Sequence, residues 1–464
     1  MFPTKIYVKR RQQLQKKIQS GLVLLLGNEE SSMNYADNHY HFRQDSNFLY
    51  FLGLDQAGLA GIIDIDNNRT ILFGNELTID DIVWTGPQPA LTDLAAQVGV
   101  TEVQPKNAIT KYIKKARSSG QQIHFLPPYR SDNKIKLSEW LGIQMKGLCS
   151  LVSIPLIKAV IEMAAIKSPE EIKEMEKAVN VSRDMHIAAM EYAKPGMTEA
   201  AVTGKVHGIA VSSGGNLSYP IILTVNGQTL HNHYHGNVLK KGQLVLGDFG
   251  AETAMHYAGD ITRTFPVSKK FTAQQKEIYQ IVLAANVQCI KASKAGTLYK
   301  EVHLMAARIK TEGLKALGIM KGDTEAAVQA GAHALFFPHG LGHMIGLDVH
   351  DMEDLGEDLV GYSETVQRSN QFGLRSLRLG KALETGNVIT VEPGLYFIPE
   401  LIDRWQSEQK FSEFINYKKL AAYRNFGGIR IEDNVLITNK KQRILGKPIP
   451  KTVKEVEAIR GKAY

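Results

Sequence analysis

The feature that most constrains the fold is an arrangement of helical and strand patterns that occurs twice in the second part of the chain. Each copy has a long helical pattern, a short break that ends in glycine, a second helical pattern and then an apolar run typical of a strand. In the first copy these parts are residues 168–192, 194–196, 198–215 and 244–249, and in the second they are 272–292, 294–296, 297–317 and 388–391. The repetition predicts two related halves that face one another, with a site at the seam between them.

A helix-start signal indicates where two domains meet. Ser168 can cap the helix, Pro169 fits its first position and Glu171 completes a capping box. Before this signal, short β-rich runs alternate with helical patterns, as in an α/β layer. The predicted strands are 22–26, 60–65, 70–73 and 123–125. The 464 residues allow about two or three domains of about 150 residues, and we predict one domain over 1–160 and another over 161–464.

Composition and charge exclude several classes of protein. Hydrophobic residues make up 44% and charged residues 22%, as in ordinary soluble proteins, and no apolar stretch reaches the roughly 18 residues of a membrane span. The net charge of +8 is scattered among acidic residues, so we predict neither a nucleic-acid nor a membrane partner. Cys149 and Cys289 lie far apart, which argues against a disulfide scaffold. The first residues lack a signal-peptide pattern, so we expect a cytoplasmic location.

Two aspartates lie at the ends of apolar runs that predict neighbouring strands. Asp248 ends the run 244–246 and Asp260 opens the run 260–265, twelve positions later. Either aspartate alone could be a turn or cap residue. Carboxylates beside apolar strands are costly unless they are paired or bind cations. Together they favour a site at which two strands present carboxylates to one point.

The segment 337–350 contains three histidines, His339, His343 and His350, together with three glycines. Glycine lets the backbone approach other groups closely, so the segment is a shaped loop rather than a helix face. A single histidine is often a satisfied core residue. Three in one such loop favour a functional site.

Two glutamates follow β-branched residues at the ends of short runs. Glu392 stands before a Pro-Gly turn, and Glu432 lies two positions after Arg430. The structural alternatives are a strand-end residue for Glu392 and a salt bridge with Arg430 for Glu432. Four carboxylates and one imidazole, without thiolates, match the needs of two divalent cations. Manganese is favoured, and cobalt, zinc and iron are alternatives.

Five blocks resemble, in order, the Xaa-Pro aminopeptidase (aminopeptidase P) and prolidase branch of the pita-bread metallopeptidases. They are 247–252, 257–266, 339–351, 391–394 and 428–433. The segment 40–53 resembles the aminopeptidase P N-terminal signature, which methionine aminopeptidases lack. The resemblance implies an α/β N-terminal domain and an α+β pita-bread catalytic domain with an internal pseudo-two-fold repeat.

The resemblance also implies roles for individual residues. Five metal ligands are implied, of which Asp260 and Glu432 bridge the two ions: Asp248, Asp260, His343, Glu392 and Glu432. Glu392 would also transfer the proton. His339 and His350 would position the scissile carbonyl and stabilise the tetrahedral intermediate. Arg430 would hold the ligand network in place.

One further histidine of the family lies upstream of the first aspartate. His233 fits the family's His-Tyr-x-x-Asn block, because Tyr234 and Asn237 follow it. His231, which follows Leu230, matches the spacing to Asp248 nearly as well. We therefore take His233 as the prediction and His231 as its alternative.

Two features depart from the family pattern. Asp248 and Asp260 are twelve residues apart where the family usually has eleven, which predicts a one-residue bulge between their strands. The segment 396–426 is longer than the compact family form, which predicts a reshaped substrate entrance.

The predicted activity is release of the N-terminal residue from peptides with proline in the second position, by attack of a metal-bridging hydroxide. A prolidase that cleaves only Xaa-Pro dipeptides is the alternative enzyme. The alternative from another class is an inactive binding protein of the same fold, which would lack several ligands. The resemblance further implies a homodimer or homotetramer.

Overall fold

A computed structural model describes residues 1–463. The chain divides into two compact units, Met1–Ala164 and Ala165–Tyr464. The division lies four residues beyond the boundary predicted at residue 160, because a helix at Ile154–Ala164 belongs to the first unit. Among the described residues, none of the helices combines the length and the apolar character that crossing a membrane requires.

The first unit is an α/β layer. Its helices are α1 Thr4–Ile18, α2 Ser46–Leu52, α3 Ile79–Thr85, α4 Leu91–Gln97, α5 Ala108–Ser118, α6 Ser131–Leu141 and α7 Ile154–Ala164, and its strands are β1 Leu22–Leu26, β2 Ala60–Asp64, β3 Arg69–Phe73, β4 Glu102–Gln104 and β5 Ile123–Phe125. The strands form one mixed sheet in the order β4-β3-β2-β1-β5. Four of these strands were predicted. The fifth, β4, is a short polar edge strand without the apolar pattern that would have revealed it.

The second unit combines long helices with four small antiparallel sheets. Its helices are α8 Pro169–Tyr192, α9 Glu199–Ser212, α10 Ala273–Ala292, α11 Tyr299–Ala316, α12 Thr324–Ala330, α13 Glu357–Gly361, α14 Pro399–Ser407, α15 Tyr417–Leu420 and α16 Val453–Lys462. Its strands are β6 Asn216–Leu217, β7 Ile222–Thr224, β8 Leu244–Asp248, β9 Ala251–Glu252, β10 Thr262–Pro266, β11 Val388–Val391, β12 Gly394–Phe397, β13 Gly427–Arg430, β14 Asp433–Ile437 and β15 Gln442–Ile444. The sheets have the orders β10-β8-β7, β11-β14-β15, β12-β13 and β6-β9.

The helix-start signal at residue 168 forms the predicted capping box. The Ser168 hydroxyl accepts a hydrogen bond from the Glu171 amide at 3.3 Å, and the Glu171 carboxylate accepts one from the Ser168 amide at 2.9 Å. Pro169 occupies the first turn, where its missing N–H has no cost. The long helix α8 therefore begins at the predicted residue.

The predicted repeat is present, and its two copies share equivalent hydrogen bonds. Between α8 and α9, Gly196 takes a φ of 90° and its amide donates to Leu239 O at 2.9 Å. Between α10 and α11, Gly296 takes a φ of 85° and its amide donates to Leu383 O at 2.8 Å. Glycine tolerates this left-handed backbone, which explains why both breaks end in this residue. The two helix pairs are thus tied to their own halves in the same way.

The hairpin that carries the two aspartates has no bulge. Asp248 pairs with Thr262 across β8 and β10, and the same register continues through the Phe249 amide, which donates to Ile261 O at 3.2 Å, and the bridge between Glu252 and Ala258. The predicted bulge is therefore wrong, and the turn at 253–257 takes up the additional residue. Since side chains alternate along a strand, the even spacing directs Asp248 and Asp260 to one face.

The long segment 396–426 folds into helices α14 and α15 and a 3-10 turn at Ala421–Tyr423. Ile402 and Trp405 of α14 are buried in the core of the second unit. The Trp405 ring packs against Phe372 and Phe411 with centroids 5.9 and 5.5 Å apart. The segment is thus a packed element, and its effect on the substrate entrance stays a prediction.

Candidate metal centre

A tyrosine hydroxyl joins the two aspartates of the β8-β10 hairpin. Tyr219 Oη lies 2.6 Å from Asp248 Oδ1 and 2.6 Å from Asp260 Oδ1. The two aspartates are only 8% and 5% exposed. Burial, together with the charges of the two aspartates, raises the pKa of Tyr219 well above its usual value. The hydroxyl therefore keeps its proton between two carboxylates.

His343 brings an imidazole to the same point. One ligand atom each of Asp260, His343 and Glu432 lie within 4.8 Å of one another. His343 Nε2 is 3.4 Å from Asp260 Oδ2 and 3.5 Å from Glu392 Oε1. Its Nδ1–H donates to Met344 O at 2.9 Å, which leaves the Nε2 lone pair for a cation. Burial opposes protonation of this ring, but Asp260 and Glu392 raise its pKa above the usual value.

The loop of His343 is held against strand β11. Thr390 Oγ1 accepts a hydrogen bond from the His343 amide at 3.0 Å, and the Thr390 amide donates to His343 O at 2.9 Å. A side chain at Gly342 would overlap the Thr390 carbonyl oxygen. This close approach explains the glycine that precedes the histidine.

A buried glutamate, Glu432, and a half-buried one, Glu392, complete the cluster without full pairing. Glu432 is 1% exposed; Thr262 Oγ1 donates to its Oε2 at 2.7 Å, whereas its Oε1 has no hydrogen-bond partner among the described residues. Burial, and then the charges of Asp260 and Glu392, raise the pKa of Glu432 well above its usual value. Burial likewise raises the pKa of Glu392 to about 7. Buried acids with raised pKa values and an unpaired oxygen fit a site for cations.

Arg430 connects the aspartate side of the cluster to a tyrosine and a histidine. Its guanidinium pairs with Asp248 Oδ2 and donates to Thr262 Oγ1 at 3.1 Å and to Tyr396 Oη at 2.8 Å. Tyr396 Oη is in turn 2.8 Å from His339 Nε2. His339 Nδ1–H donates to Gly340 O at 2.7 Å, so its Nε2 accepts the tyrosine proton. Burial and nearby Arg430 lower the pKa of His339 well below its usual value, and the ring is neutral.

The third histidine of the loop contacts His343 from another side. The rings of His343 and His350 lie 4.5 Å apart at 73°. His350 Nδ1–H donates to Glu353 Oε2 at 2.7 Å, and Arg378 pairs with Glu353 Oε1 at 2.6 Å. Burial lowers the pKa of His350 to about 4. His343, His350, Glu353 and Arg378 line one cavity.

The upstream loop carries both candidate histidines. His231 lies near enough to Asp248 and Arg430 for their charges to act on it, and burial lowers its pKa below the usual value. It also contributes to the lowered pKa of His339. No hydrogen bond or ion pair in the described structure connects His231 or His233 to the carboxylate cluster. His233 therefore stays the prediction and His231 its alternative.

The structure brings together all five predicted ligands, and His339, His350 and Arg430 surround them. Their roles stay predictions. Sequence reasoning missed Tyr219, Tyr396 and Thr262. A hydroxyl-bearing residue has no motif of its own, and only the even spacing of Thr262 from Asp260 could have placed Thr262 on the same face.

Comparison with known proteins identifies the family. Residues 173–439 match the family model described as Metallopeptidase family M24, and residues 7–124 match the one described as Aminopeptidase P, N-terminal domain. The chain belongs to metallopeptidase family M24. The human Xaa-Pro dipeptidase is 32% identical to this M24 peptidase over an alignment that covers 98% of this chain and 93% of the human protein. A probable Xaa-Pro aminopeptidase of Sordaria macrospora is also 32% identical, over 95% of this chain and 91% of its own length.

The solved structure of zinc-substituted aminopeptidase P from Escherichia coli, in complex with product, has the same fold as this M24 peptidase. It superposes with a TM-score of 0.82 at 30% identity and covers 100% of this chain and 99% of that one. The predicted family and the predicted two-domain fold class are confirmed. The M24 peptidase is a metal-dependent hydrolase that acts on Xaa-Pro substrates.

Proposed function

We propose that this peptidase is an Xaa-Pro aminopeptidase, which releases the N-terminal residue from peptides with proline in the second position. The observation that carries the proposal is the convergence of Asp260, His343 and Glu432 on one point, where a buried oxygen of Glu432 has no partner among the described residues. The similarity to aminopeptidase P over the full chain supports the same activity.

The donor set fits two divalent ions, with manganese favoured over cobalt, zinc or iron. The five groups that would hold them are Asp248, Asp260, His343, Glu392 and Glu432. Oxygen-rich coordination without thiolates suits hard or borderline cations. Four carboxylates would also balance the charge of two doubly charged ions. When bound, such ions polarise the scissile carbonyl and lower the pKa of water so that it can act as a nucleophile.

Glu392 is the residue that we assign to proton transfer. Without bound cations, burial raises its pKa to about 7, and the resemblance to aminopeptidase P and prolidase gives it the role of general acid and base. It would accept a proton from the attacking water and deliver it to the leaving nitrogen of proline. Its Oε2 lies 3.8 Å from His339 Nδ1, so the acid and the histidine loop share one wall of the site.

His339 and His350 are assigned to positioning the scissile carbonyl. Both nitrogens of His339 are bonded, Nδ1 to Gly340 O and Nε2 to Tyr396 Oη, whereas His350 is bonded to Glu353 through Nδ1. Such bonds determine the tautomer and the orientation of each ring. Arg430 is assigned to holding Asp248 and Tyr396 in place, and we include His233 as the upstream histidine, with His231 as its alternative.

A dipeptidase is the second candidate, because one cation lies beside the predicted site. Arg378 lines the cavity of His343 and His350. The free carboxylate of an Xaa-Pro dipeptide needs a cationic partner, which a longer peptide does not need at that position. In the structure Arg378 pairs with Glu353 at 2.6 Å and Glu357 at 2.9 Å, so a substrate carboxylate would have to compete with two glutamates. This competition favours the aminopeptidase.

The test is manganese-dependent hydrolysis of an Xaa-Pro-Yaa tripeptide beside the matching Xaa-Pro dipeptide. We expect cleavage of the tripeptide, with loss of activity in Asp260→Ala. Arg378→Met is expected to leave kcat/KM for the tripeptide within a few-fold. Arg375→Met, a change of an exposed arginine in the same segment, is the matched control.

Each outcome assigns a function. Cleavage of the dipeptide alone, reduced by Arg378→Met and not by Arg375→Met, would identify a dipeptidase. Activity on neither substrate, with fewer than two ions bound per chain in manganese-replete buffer, would identify a binding protein of this fold. We also propose a cytoplasmic homodimer or homotetramer without nucleic-acid or membrane partners, which sedimentation analysis tests for the oligomeric state.

A further inference from the structure

Helix α11 presents a buried polar face to the predicted site. Tyr299, His303 and Lys310 recur at helical spacing and are 0%, 0% and 1% exposed. A helix that only filled the core would present apolar residues at these positions, because burial of a polar group is costly unless it is bonded.

Tyr299 contacts two segments of the predicted site at one end. One segment carries Glu392 and the other carries His339. Tyr299 Oη donates to Thr390 O at 2.6 Å and lies 3.4 Å from Leu341 O. Burial raises the pKa of Tyr299 well above its usual value, so the hydroxyl keeps the proton that it donates. Thr390 lies two residues before Glu392, and Leu341 lies two residues after His339.

Lys310 holds the same two segments from the other end. Its amine donates to Gly394 O at 3.3 Å and lies over the face of the Phe337 ring. Gly394 lies two residues after Glu392, and Phe337 lies two residues before His339. Phe337 in turn packs edge-on against the His339 imidazole, with ring centroids 4.8 Å apart at 78°. The position of Lys310 therefore affects the position of the imidazole through Phe337.

Helix α11 therefore contacts one segment on both sides of Glu392 and the other segment on both sides of His339. Between these contacts the Glu392 amide donates to Leu341 O at 2.8 Å. No carboxylate pairs with Lys310 among the described residues, and burial lowers its pKa well below the usual value. Both protonation states of the amine retain N–H groups for these contacts.

The internal repeat supports the same interpretation. Tyr299 begins α11 as Glu199 begins α9, and their amides donate to Lys381 O and Asn237 O in equivalent positions. The Glu199 side chain accepts hydrogen bonds from the Val225 amide at 2.7 Å and from Asn237 Nδ2 at 2.9 Å, at the two ends of the His231 loop. In both halves the start of the second helix thus holds a loop of the predicted site.

We propose that Tyr299 and Lys310 are positioning residues that fix Glu392 and His339 relative to each other. The inference rests on the proposed function for the roles of Glu392 and His339. Because neither Tyr299 nor Lys310 contacts a predicted ligand oxygen or nitrogen, their effect would reach the reaction only through the geometry of the two segments. Misplacement of a catalytic group by about 1 Å can cost about 100-fold in rate.

The test uses Tyr299→Phe, Lys310→Met and Lys310→Gln, with Lys300→Met on the same helix as the control. We expect Tyr299→Phe and Lys310→Met to lower kcat on the cleaved Xaa-Pro substrate about tenfold, with KM and metal content per chain unchanged. Lys310→Gln, which keeps a donor for Gly394 O, should recover part of the loss. The double variant should lose less than the product of the single losses, because both changes act on one geometry.

A second measurement does not depend on activity. Hydrogen–deuterium exchange of the Glu392 amide reports the bond to Leu341 O directly, and we expect it to quicken in Tyr299→Phe and Lys310→Met but not in Lys300→Met. Unchanged exchange, or a kcat within twofold of wild type, would overturn the inference, and so would a loss of kcat that follows metal content. If Lys310→Met does not fold, Tyr299→Phe decides alone. Wild-type protein that cleaves no Xaa-Pro substrate would refute the proposed function, whereas the exchange result would still test the positioning.

Discussion

Tyr219 Oη donates to Asp248 Oδ1 at 2.6 Å, and Tyr219 Oη also lies 2.6 Å from Asp260 Oδ1. A single hydroxyl thus fixes the separation of two buried carboxylates that the hairpin register brings to one face. We expect Tyr219→Phe to weaken metal binding about 10–100-fold, the usual effect of losing a group that orients a ligand. Competition with a chelator of known affinity measures the change. Tyr234→Phe, an exposed tyrosine of the adjacent loop, should leave the affinity unchanged.

Metal binding at this site should release protons. Burial raises the pKa of Glu392 to about 7, so without a cation Glu392 carries a proton at pH 6 or below. Burial also raises the pKa of Glu432 well above its usual value, and a bound cation would displace protons from such acids. The binding heat measured by calorimetry should therefore depend on the ionisation enthalpy of the buffer. Glu432→Gln should remove part of that dependence. Equal heats in all buffers would show that the acids are already ionised.

Removal of the metal should also lower thermal stability. Without cations, the half-buried Glu392 lies close to three buried acids, Asp248, Asp260 and Glu432, and like charges in such a site oppose folding. We expect the melting temperature to fall after dialysis against a chelator and to rise again with the concentration of added manganese. A melting temperature that does not respond to manganese would contradict a metal site built from these residues.

Lysine should not replace Arg430. The guanidinium reaches Asp248, Thr262 and Tyr396 at once, whereas a lysine amine cannot reproduce that planar set of donors. We expect Arg430→Lys to keep the fold and to lower metal affinity about 10–100-fold. Arg443→Lys, at an exposed ion pair with Glu176, is the control. Equal affinities for the two variants would mean that positive charge alone suffices.

Much of the fold could be predicted from the sequence because strong local signals agree with it. The capping box at Ser168 and the glycines at 196 and 296 occupy the predicted breaks, and apolar runs identify the central strands. Edge strand β4 lacks such a run and was missed. The bulge expected between Asp248 and Asp260 is absent because the turn contains the additional residue. The alternation of side chains along the strands does not reveal the length of the turn, so the sequence pattern could not predict this.

The five predicted ligands could be named because carboxylates beside apolar strands are unusual and because the blocks that contain them resemble a known family, but their supporting groups could not. Tyr219 and Tyr396 are ordinary aromatic residues until tertiary contacts place Tyr219 between two carboxylates and Tyr396 between Arg430 and His339. His231 and His233 have the same parity and nearly the same context, so local pattern cannot separate them. Glu199 holds the two ends of the loop that carries both histidines.

His186 should make the metal-free protein sensitive to acid. Its Nε2–H donates to Phe249 O at 3.0 Å and Ile261 O at 2.8 Å, and its ring stacks on Phe249 at 4.0 Å. Burial lowers the pKa of His186 to about 3, so between the ordinary value of about 6.5 and about 3 the unfolded chain binds the extra proton. Stability should therefore fall as pH decreases through this window, by a contribution on the order of 5 kcal/mol from this residue.

The comparison that isolates His186 uses His186→Gln, which keeps a donor near the Nε2 position but has no proton to gain. Its free energy of unfolding in metal-free buffer should lie below that of wild type at pH 7.5, because the ring contact with Phe249 is lost. As the pH falls towards 4.5 the difference in the free energy of unfolding should shrink, because only the wild-type protein loses stability through protonation of His186 in the unfolded chain. His207→Gln, at an exposed position on α9, should follow the wild-type curve throughout. Parallel curves for wild type and His186→Gln would mean that the buried ring does not govern the response to acid.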